Sequence, residues 1–496
     1  MAAARASAVD ACALARVAAE TPSVAAFDAR FGNHPRGLSR ACVVERARAG
    51  GGTLASARAS VMDVDAIARA LGSGRRGRAR AYGGRQFGGE TTALGDGRCA
   101  TLGRARATTG GGWFEVQVKG GGRTAFSRDG DGRATLRSCV KELCVSERLS
   151  ALDVPTARTA VVVSTNEGVM RRRGNAARLE YGGVSVRVAP EGGFMRFGTF
   201  ELPASEGDAR TVRELADHAL EVRPVEIRPG EDAYGAFLRD AAASTASLVA
   251  RWDAVGFAHG VMNTDNASAF GLTLDLGRSG FMGAYDDGFV SNPDDVTGMF
   301  SFGEQRAVAR WNVERLCDAF RGVAPASARR DALAAFDDAF ANESRALYEK
   351  KFGVAERGAV EALYRSFREA LRLGSLDFTA SHAALGPLAS RLVQRAESES
   401  PESIVRDVFL ARGILPAATA HPSAARSLGA FARRYDVALR SERRDASSRR
   451  AEQDAWTPTD VVLESDIDRA VAAACADDDW EPARALAARC ARPRPS

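Results

Sequence analysis

The sequence predicts an α+β fold in which a small, β-rich N-terminal lobe is followed by a larger, helical C-terminal lobe. Between residues 81 and 205, short alternating apolar runs lie between glycine-rich turns, which is the pattern of strands joined by tight turns. Between residues 206 and 395, apolar residues recur at helical spacing instead. We expect two further helical segments, an N-terminal extension over residues 1–80 and a charged C-terminal region over residues 396–496.

Local patterns predict the individual elements. Residues 113–119 (WFEVQVK) alternate between apolar and polar side chains, which predicts a strand that ends at Lys119, just before three glycines. Leu136, Cys139, Val140 and Leu143 then recur at helical spacing, so Glu142 is predicted to lie on the next helix. The other expected elements are strands at 161–163 and 184–186, a helix at 234–255, a Gly/Arg-rich loop at 71–80 and a mobile polar stretch at 441–454.

Lys119 and Glu142 stand where protein kinases place the strand lysine and helix glutamate that together position nucleotide phosphates. The alternative is a surface lysine and an exposed helical glutamate without a shared role. Only four of the 68 Lys and Arg residues are lysines, at positions 119, 141, 350 and 351. In a chain that uses arginine almost everywhere else, a lysine at this one position favours phosphate binding.

The segment HGVMNTDNASAFGLTLDLG, residues 259–277, is the most informative part of the chain. Kinases carry H-R-D-L-x-x-x-N in the catalytic loop and D-F-G at the metal site. His259 and Asn266 have the spacing of the first motif, and Asp275 begins a D-L-G that corresponds to the second. The catalytic aspartate of a kinase is replaced by Val261, and Asp265 is the candidate that could take over its role.

Two turns of the form Gly-Asp-Gly-Arg, at 95–98 and 130–133, flank the strand that ends at Lys119. Glycine allows backbone N–H groups to approach an anion closely, and arginine adds donors for phosphate oxygens. A single copy of this motif is also a common hairpin turn. Arg187 and Arg196 lie in apolar surroundings and therefore need a partner, either a structural carboxylate or a nucleotide phosphate.

Taken together and in order, these motifs resemble the selenoprotein O family over most of the chain. The matching segments are YGGRQFG at 82–88, LGDGR at 94–98, VQVKG at 116–120, SRDGDGR at 127–133, RVAP at 187–190, RFGTFE at 196–201 and HGVMNTDN at 259–266. The resemblance implies a protein-kinase-like, bilobal fold. It also implies that ATP binds in a reversed orientation and that AMP is transferred to Ser, Thr or Tyr hydroxyls of proteins.

The resemblance assigns roles to individual residues. Asp265 corresponds to the proton acceptor, and Asn266 and Asp275 correspond to ligands of Mg²⁺, a cation that prefers oxygen donors. Glu142 would hold the phosphate-binding lysine. The residues implied in ATP binding are Gly95, Gly97, Arg98, Lys119, Asp131, Gly132, Arg187, Arg196 and Asp275. The alternatives are a protein kinase that transfers the γ-phosphate, and a catalytically silent ATP-binding pseudokinase scaffold.

Three departures from the family pattern qualify the resemblance. Arg85 replaces the usual histidine of Y-G-G-H-Q-F-G, so a contact near the nucleotide is expected to differ. The loop through Glu191, Gly192 and Gly193 is longer than usual, which bears on the assignment of Arg196. The family's C-terminal tail with paired cysteines or selenocysteine is not recognisable in this sequence, which puts the family's thiol-disulfide regulation through that tail in doubt for this chain.

Composition limits the partners and the location of the protein. A net charge of +5 over 496 residues does not favour nucleic acid, and no apolar run reaches membrane-spanning length. We therefore expect neither nucleic acid nor membrane as a partner, and the resemblance implies ATP and protein substrates with acceptor hydroxyls. The eight cysteines form no C-x-x-C pair, which favours a reducing intracellular compartment. The resemblance to the selenoprotein O family implies mitochondria if the source is eukaryotic, and we expect cytoplasm otherwise.

Overall fold

A computed structural model of the protein describes residues 39–43, 53–55, 76–106, 113–173, 176–415, 422–442, 444–477 and 479–492. The N-terminal part of this structure is rich in strands, and the larger part that follows is helical. The predicted α+β class is therefore confirmed. Most of the N-terminal extension, residues 1–38 included, lies outside the described residues.

Nine of the described strands form one antiparallel sheet. They are β1 (Ser39–Val43), β2 (Thr53–Ala55), β3 (Arg76–Gln86), β4 (Gly89–Gly95), β5 (Cys99–Arg106), β6 (Trp113–Lys119), β7 (Ala134–Thr135), β8 (Arg158–Arg173) and β9 (Ala176–Pro190). The order across the sheet is β1-β3-β5-β6-β9-β8-β2, with β4 paired to β3 and β7 paired to β9. The predicted strands at 113–119, 161–163 and 184–186 are confirmed. Residues 76–80, predicted as loop, instead pair with β1.

A separate pair of short strands frames the kinase-like segment. Strand β10 (Phe257–Ala258) runs antiparallel to β11 (Gly280–Phe281). The 21 residues between the two strands therefore form a loop whose ends lie side by side, and His259 at its start lies near the residues around Asp275. The His259 ring is buried, stacks on Trp252 with centroids 5.2 Å apart, and its Nε2 lies 2.7 Å from the Leu274 carbonyl oxygen.

Helices make up most of the remaining described chain. They are α1 (Leu136–Ala151), α2 (Phe197–Ser205), α3 (Ala209–Val222), α4 (Ala233–Val255), α5 (Gln305–Ala319), α6 (Ala328–Phe352), α7 (Arg357–Gly374), α8 (Phe378–Ala383), α9 (Leu385–Gln394), α10 (Pro401–Ala411), α11 (Pro422–Ser441), α12 (Ala446–Trp456), α13 (Glu464–Ala476) and α14 (Glu481–Cys490). The prediction for 234–255 is confirmed by α4. Within the described part of the chain, none of these helices has the length and apolar character that crossing a membrane requires.

Local capping explains where the helices nearest the site begin and end. Helix α1 starts after Thr135, whose hydroxyl accepts a hydrogen bond from the Ser138 N–H at 3.2 Å. Helix α4 ends at Gly256, which takes the left-handed conformation with φ +69° and turns the chain directly into β10. These caps fix the ends of the elements that carry Glu142 and lead into His259.

An aromatic cluster packs α2 against the helices below the sheet. The rings of Phe200, Phe237 and Phe320 lie with centroids 5.3 to 5.6 Å apart, and all three side chains are buried. Burying each of them stabilises the fold by roughly 1.5–3 kcal/mol. Because α2 begins immediately after Arg196, this packing also fixes the position of that arginine.

The last two helices pack back onto α1. Arg137 forms ion pairs with Glu464 and Asp468, both at 2.6 Å, and Lys141 pairs with Glu464 as well. Farther along α1, an Arg148 guanidinium N–H donates to the Arg492 carbonyl oxygen at 3.1 Å. Helix α1 is thus held between the sheet on one side and α13 and α14 on the other.

The polar stretch at 441–454 was predicted to be mobile, and for its second half this prediction is wrong. Residues from Ala446 onward form α12, in which Arg449 and Gln453 are buried. The Arg449 guanidinium donates to the Gly353 carbonyl oxygen at 3.1 Å, and the Gln453 amide donates to the Tyr435 hydroxyl at 2.9 Å. The polar side chains of this helix are therefore used to bind it to α6 and α11.

Candidate functional site

Lys119 and Glu142 meet, as the sequence predicted. The lysine ends β6 on the polar face of that strand, and its Nζ donates to Glu142 Oε1 from α1. Their side chains are only 4% and 2% exposed. A buried ion pair of this kind is costly to break, since removing one partner leaves an uncompensated charge at a cost of about 3–5 kcal/mol.

Asp275 is surrounded by three cations. Its Oδ1 lies 2.8 Å from an Arg187 guanidinium nitrogen and 3.7 Å from Lys119 Nζ, and its Oδ2 lies 2.6 Å from Arg196. Burial alone would raise the pKa of the Asp275 carboxyl, but Arg196, Arg187 and Lys119 outweigh burial and hold it well below its usual value. Asp275 is therefore ionised, and it is the partner that the two buried arginines required. We call these three cations, Asp275 and Glu142 the Asp275 cluster.

The two arginines of the Asp275 cluster come from different elements and are oriented by further contacts. Arg187 lies on β9 and donates to Gln117 on the neighbouring strand at 2.9 Å. Arg196 precedes α2 and lies over the ring of Tyr82, with 4.9 Å between the guanidinium carbon and the ring centroid. Despite the longer loop between them, both arginines reach the same carboxylate.

Asp265 lies beside this cluster in a short 3₁₀ turn, Thr264–Asn266. Its side chain is 7% exposed, and burial raises the pKa of its carboxyl above the usual value. Arg196 donates to its backbone carbonyl oxygen at 2.5 Å, and Gln86 donates to its Oδ2 at 3.2 Å. Its Oδ1 receives no hydrogen bond from a described residue. A carboxylate with one oxygen held and one oxygen without a donor is suited to accept a proton.

Asn266 and Asp275 turn their oxygens toward a common point. Asn266 Oδ1 lies 3.4 Å from the same Arg196 nitrogen that contacts Asp275 Oδ2, and the Asn266 amide donates to the Val261 carbonyl oxygen at 3.2 Å. Neither here nor elsewhere in the described residues is there a group of three or more His, Cys, Asp or Glu side chains that could hold a metal ion. Two oxygen donors from protein are what Mg²⁺ uses when substrate phosphates complete its coordination. In the structure, the cation that both oxygens contact is the Arg196 guanidinium.

The first Gly-Asp-Gly-Arg turn, 95–98, directs its aspartate inward. The Asp96 carboxylate accepts a hydrogen bond from the Arg80 backbone N–H at 3.1 Å and is buried. Gly95 is in close contact with Phe126, since a Cβ at Gly95 would lie 2.4 Å from that ring. The Arg98 side chain is exposed and forms no hydrogen bond or ion pair with a described residue, so it is available to an anion.

The second turn, 130–133, directs its aspartate outward. Asp131 is exposed, accepts a hydrogen bond from the Arg133 backbone N–H, and pairs with Arg171 on β8 at 2.8 Å. Gly132 has φ +69°, and a Cβ there would lie 2.1 Å from the Gly122 carbonyl oxygen. Gly132 is therefore required by the backbone whether or not ATP is bound.

We expect Gly132→Ala to destabilise the fold by at least about 2 kcal/mol, because the left-handed backbone alone costs roughly 1–2 kcal/mol and the contact adds to it. Urea unfolding measures this loss. Gly207→Ala is the matched control, since Gly207 has φ +76° but nothing within 4 Å of its missing Cβ. Equal losses in the two variants would rule out the Gly122 contact as the cause.

Sequence reasoning missed several residues that hold the site. Gln86 and Tyr82 lie within a motif that was recognised, but their contacts with Asp265 and Arg196 were not anticipated. Glu201, which accepts a hydrogen bond from the Thr264 hydroxyl at 2.5 Å, was missed in the same way. Arg85, where the family usually has histidine, pairs with Glu90 at 3.3 Å on its own hairpin.

Comparison with known proteins identifies the family. The family model described as "Protein adenylyltransferase SelO" matches residues 57–491. The chain belongs to the SelO family. SelO-family relatives named "Protein nucleotidyltransferase YdiU" include one from Thiobacillus denitrificans, 35% identical over 412 residues, which are 83% of this chain and 79% of the relative. The YdiU protein of Cupriavidus metallidurans is 35% identical over 424 residues, covering 82% of this chain and 73% of the relative. The YdiU protein of Dechloromonas aromatica is 39% identical over 341 residues, covering 65% of this chain and 66% of the relative.

SelO-family membership confirms the predicted class of enzyme. The chain is a protein nucleotidyltransferase of the adenylyltransferase kind, which uses ATP as the nucleotide donor. The three relatives are bacterial, and nothing in them supports the mitochondrial location expected for a eukaryotic source.

Proposed function

We propose that this chain binds Mg²⁺-ATP against the Asp275 cluster and transfers AMP to Ser, Thr or Tyr hydroxyls of proteins, releasing pyrophosphate. The observation that carries the proposal is the set of three cations, Lys119, Arg187 and Arg196, each 3–4% exposed and gathered around one carboxylate. Cations buried together are costly unless anions neutralise them. Asp275 and Glu142 are the carboxylates in direct contact with these cations, and phosphate oxygens would offer the same cations further acceptors.

The residues of the cluster have different proposed roles. Lys119, Arg187 and Arg196 bind phosphate oxygens, and Glu142 keeps the lysine extended toward them. The two glycine-rich turns flank the strand that carries Lys119, and the remaining proposed ATP contacts lie there: Gly95, Gly97, Arg98, Asp131 and Gly132. In this proposal the arginines exchange part of their contact with Asp275 for contact with the nucleotide.

Asn266 and Asp275 would hold the magnesium ion. When bound, the ion would neutralise charge that develops on the leaving phosphates. Asp265, which directly precedes Asn266, has no part in this metal binding and is therefore free for proton transfer.

Asp265 is proposed to accept the proton of the substrate hydroxyl. The hydroxyl oxygen forms a bond to the α-phosphorus while the bond from that phosphorus to the oxygen bridging to the β-phosphate breaks. The proton moves to Asp265, and the electron pair of the broken bond leaves with pyrophosphate. In a kinase, the catalytic aspartate would stand at the position of Val261. A valine side chain cannot accept a proton, and this difference supports attack at the α-phosphorus over attack at the γ-phosphorus.

We further propose a kinase-like, bilobal arrangement of the chain. Residues 81–205 would form the nucleotide-binding lobe and residues 206–395 the helical lobe, with 1–80 as an extension and 396–496 as a C-terminal helical region. The pairing of a strand lysine with a helix glutamate, and the loop between β10 and β11, support this division.

We expect label from [α-³²P]ATP, but not from [γ-³²P]ATP, to be incorporated into protein in the presence of Mg²⁺. Casein, an unfolded protein with many accessible hydroxyl side chains, serves as the acceptor, and gel autoradiography measures the label. Chelation of Mg²⁺ by EDTA should abolish incorporation. Incorporation from the γ-label alone would establish a kinase instead. ATP binding without label from either position would favour the scaffold.

A further inference from the structure

The turn that joins β3 to β4 directly contacts the loop that carries Asp265 and Asn266. Phe87 and Gly88 form this turn with φ +48° and +80°. Three consecutive residues before and in the turn donate hydrogen bonds to three consecutive residues of the loop: Arg85 N–H to Thr264 Oγ1 at 2.7 Å, Gln86 Nε2 to Asp265 Oδ2 at 3.2 Å, and Phe87 N–H to Asn263 Oδ1 at 3.0 Å. The tip of the hairpin and the loop therefore form one hydrogen-bonded unit, although about 180 residues separate them.

The backbone of Asp265 is fixed by contacts other than the Gln86 side chain. Arg196 donates to its carbonyl oxygen at 2.5 Å, and the adjoining backbone is closely packed. A Cβ at Gly84 would lie 3.1 Å from Asp265 N, and one at Gly198 would lie 3.4 Å from Asp265 Cα. The main chain at Asp265 therefore has little room to move, and the remaining freedom is rotation of its carboxylate.

Gln86 restricts that rotation. Among the described residues, it is the one side chain that donates a hydrogen bond to the Asp265 carboxylate. The Gln86 amide is neutral, so it orients Oδ2 by a hydrogen bond alone. A guanidinium such as that of Arg196 would also place a full positive charge beside the carboxylate. Gln86 is only partly buried and belongs to no part of the Asp275 cluster, so its removal leaves the three cations and their partners in place.

We propose that Gln86 is a positioning residue for AMP transfer: its amide fixes the Asp265 carboxylate so that the substrate hydroxyl meets it in one orientation. This inference rests on the proposed function, because it gives Gln86 a role only through proton transfer to Asp265. Misplacing a catalytic group slows the chemical step without weakening the binding of a substrate held elsewhere. Gln86 should therefore affect kcat and leave the KM for ATP unchanged.

The test compares Gln86→Ala and Gln86→Glu with the unsubstituted chain, using [α-³²P]ATP, Mg²⁺ and casein. Glu has nearly the shape of Gln but, when ionised, cannot donate to a carboxylate, so it removes the hydrogen bond with little change in packing. We expect kcat to fall about tenfold or more in both variants, with the KM for ATP within about twofold and an unchanged melting temperature. Glu90→Gln, an exposed change on the same hairpin, is the control and should keep the original rate.

A double-mutant cycle with Asp265→Asn separates positioning from a general structural role. If Gln86 acts through the Asp265 carboxylate, Gln86→Ala should cause little further loss of rate in the Asp265→Asn background. Equal losses in both backgrounds would overturn the inference, as would an unchanged or raised kcat in both Gln86 variants. If the unsubstituted chain incorporates no α-label, the proposed function fails and this inference fails with it. If the unsubstituted chain incorporates α-label into casein and the Gln86 variants keep its kcat, this inference alone is contradicted.

Discussion

Asp275→Ala is expected to abolish incorporation of α-label and to remove the Mg²⁺-dependent part of ATP binding. The substitution deletes a proposed metal ligand and, at the same time, the carboxylate that lies between Arg187, Arg196 and Lys119. Because three buried cations would then face one another with Glu142 as the one acid left in the cluster, we also expect a loss of stability of about 3–5 kcal/mol.

Two measurements distinguish loss of the site from loss of the fold. Thermal melting with and without Mg²⁺-ATP should show stabilisation by the ligand in the original chain, about 2.7 kcal/mol at 100 times Kd, and none in the variant. Asp294→Asn is the matched control, since Asp294 pairs with Arg278 at 2.5 Å but both side chains are about half exposed. Such an exposed pair contributes about 0–1 kcal/mol, so that variant should keep both stability and activity. Undiminished labelling by Asp275→Ala would contradict the metal assignment.

Asp265→Asn is expected to lower the rate of labelling by about 10²–10⁴-fold while leaving ATP binding intact. Asparagine keeps the size of the side chain, and its carbonyl oxygen can still accept the hydrogen bond from Gln86. The contact from Arg196 is to the backbone carbonyl and is therefore retained. What the substitution removes is the ability to take up a proton.

The measurement is kcat with casein together with the Kd for ATP by calorimetry. The expected result is a large fall in kcat with a Kd within about twofold of the original. Loss of ATP binding would show that Asp265 is a structural or metal-binding residue. A rate within tenfold of the original would show that another group accepts the proton.

The parts of the site that could be predicted from the sequence are those set by local patterns. Lys119 was predictable because an alternating strand ends in glycines, and Glu142 because it follows at helical spacing. The cations that needed a partner were also predictable, since buried arginines are seldom unpaired. Their partner was not, because a carboxylate and a phosphate satisfy an arginine equally well. In the structure both arginines contact the Asp275 carboxylate.

The contacts that could not be predicted connect distant parts of the chain. Gln86 lies 179 residues before Asp265, and no local periodicity records that the two will meet. Helix α12 shows a related difficulty. Its composition resembles that of a solvated linker, but Arg449 and Gln453 are buried because α6 and α11 offer them acceptors. Polar residues indicate exposure only when no tertiary partner is present.

The packing of α13 and α14 on α1 has a consequence for the order in which the protein becomes an enzyme. Translation proceeds from the N-terminus, so Lys119 and Glu142 are synthesised more than 300 residues before Glu464, which binds Arg137 and Lys141 of the same helix. A growing chain therefore carries both halves of the buried ion pair long before the helix that holds one of them is supported. Because α13 and α14 cover the outer face of α1 only after residues 464–490 have been synthesised, we expect the helix that carries Glu142 to gain its full stability late in folding.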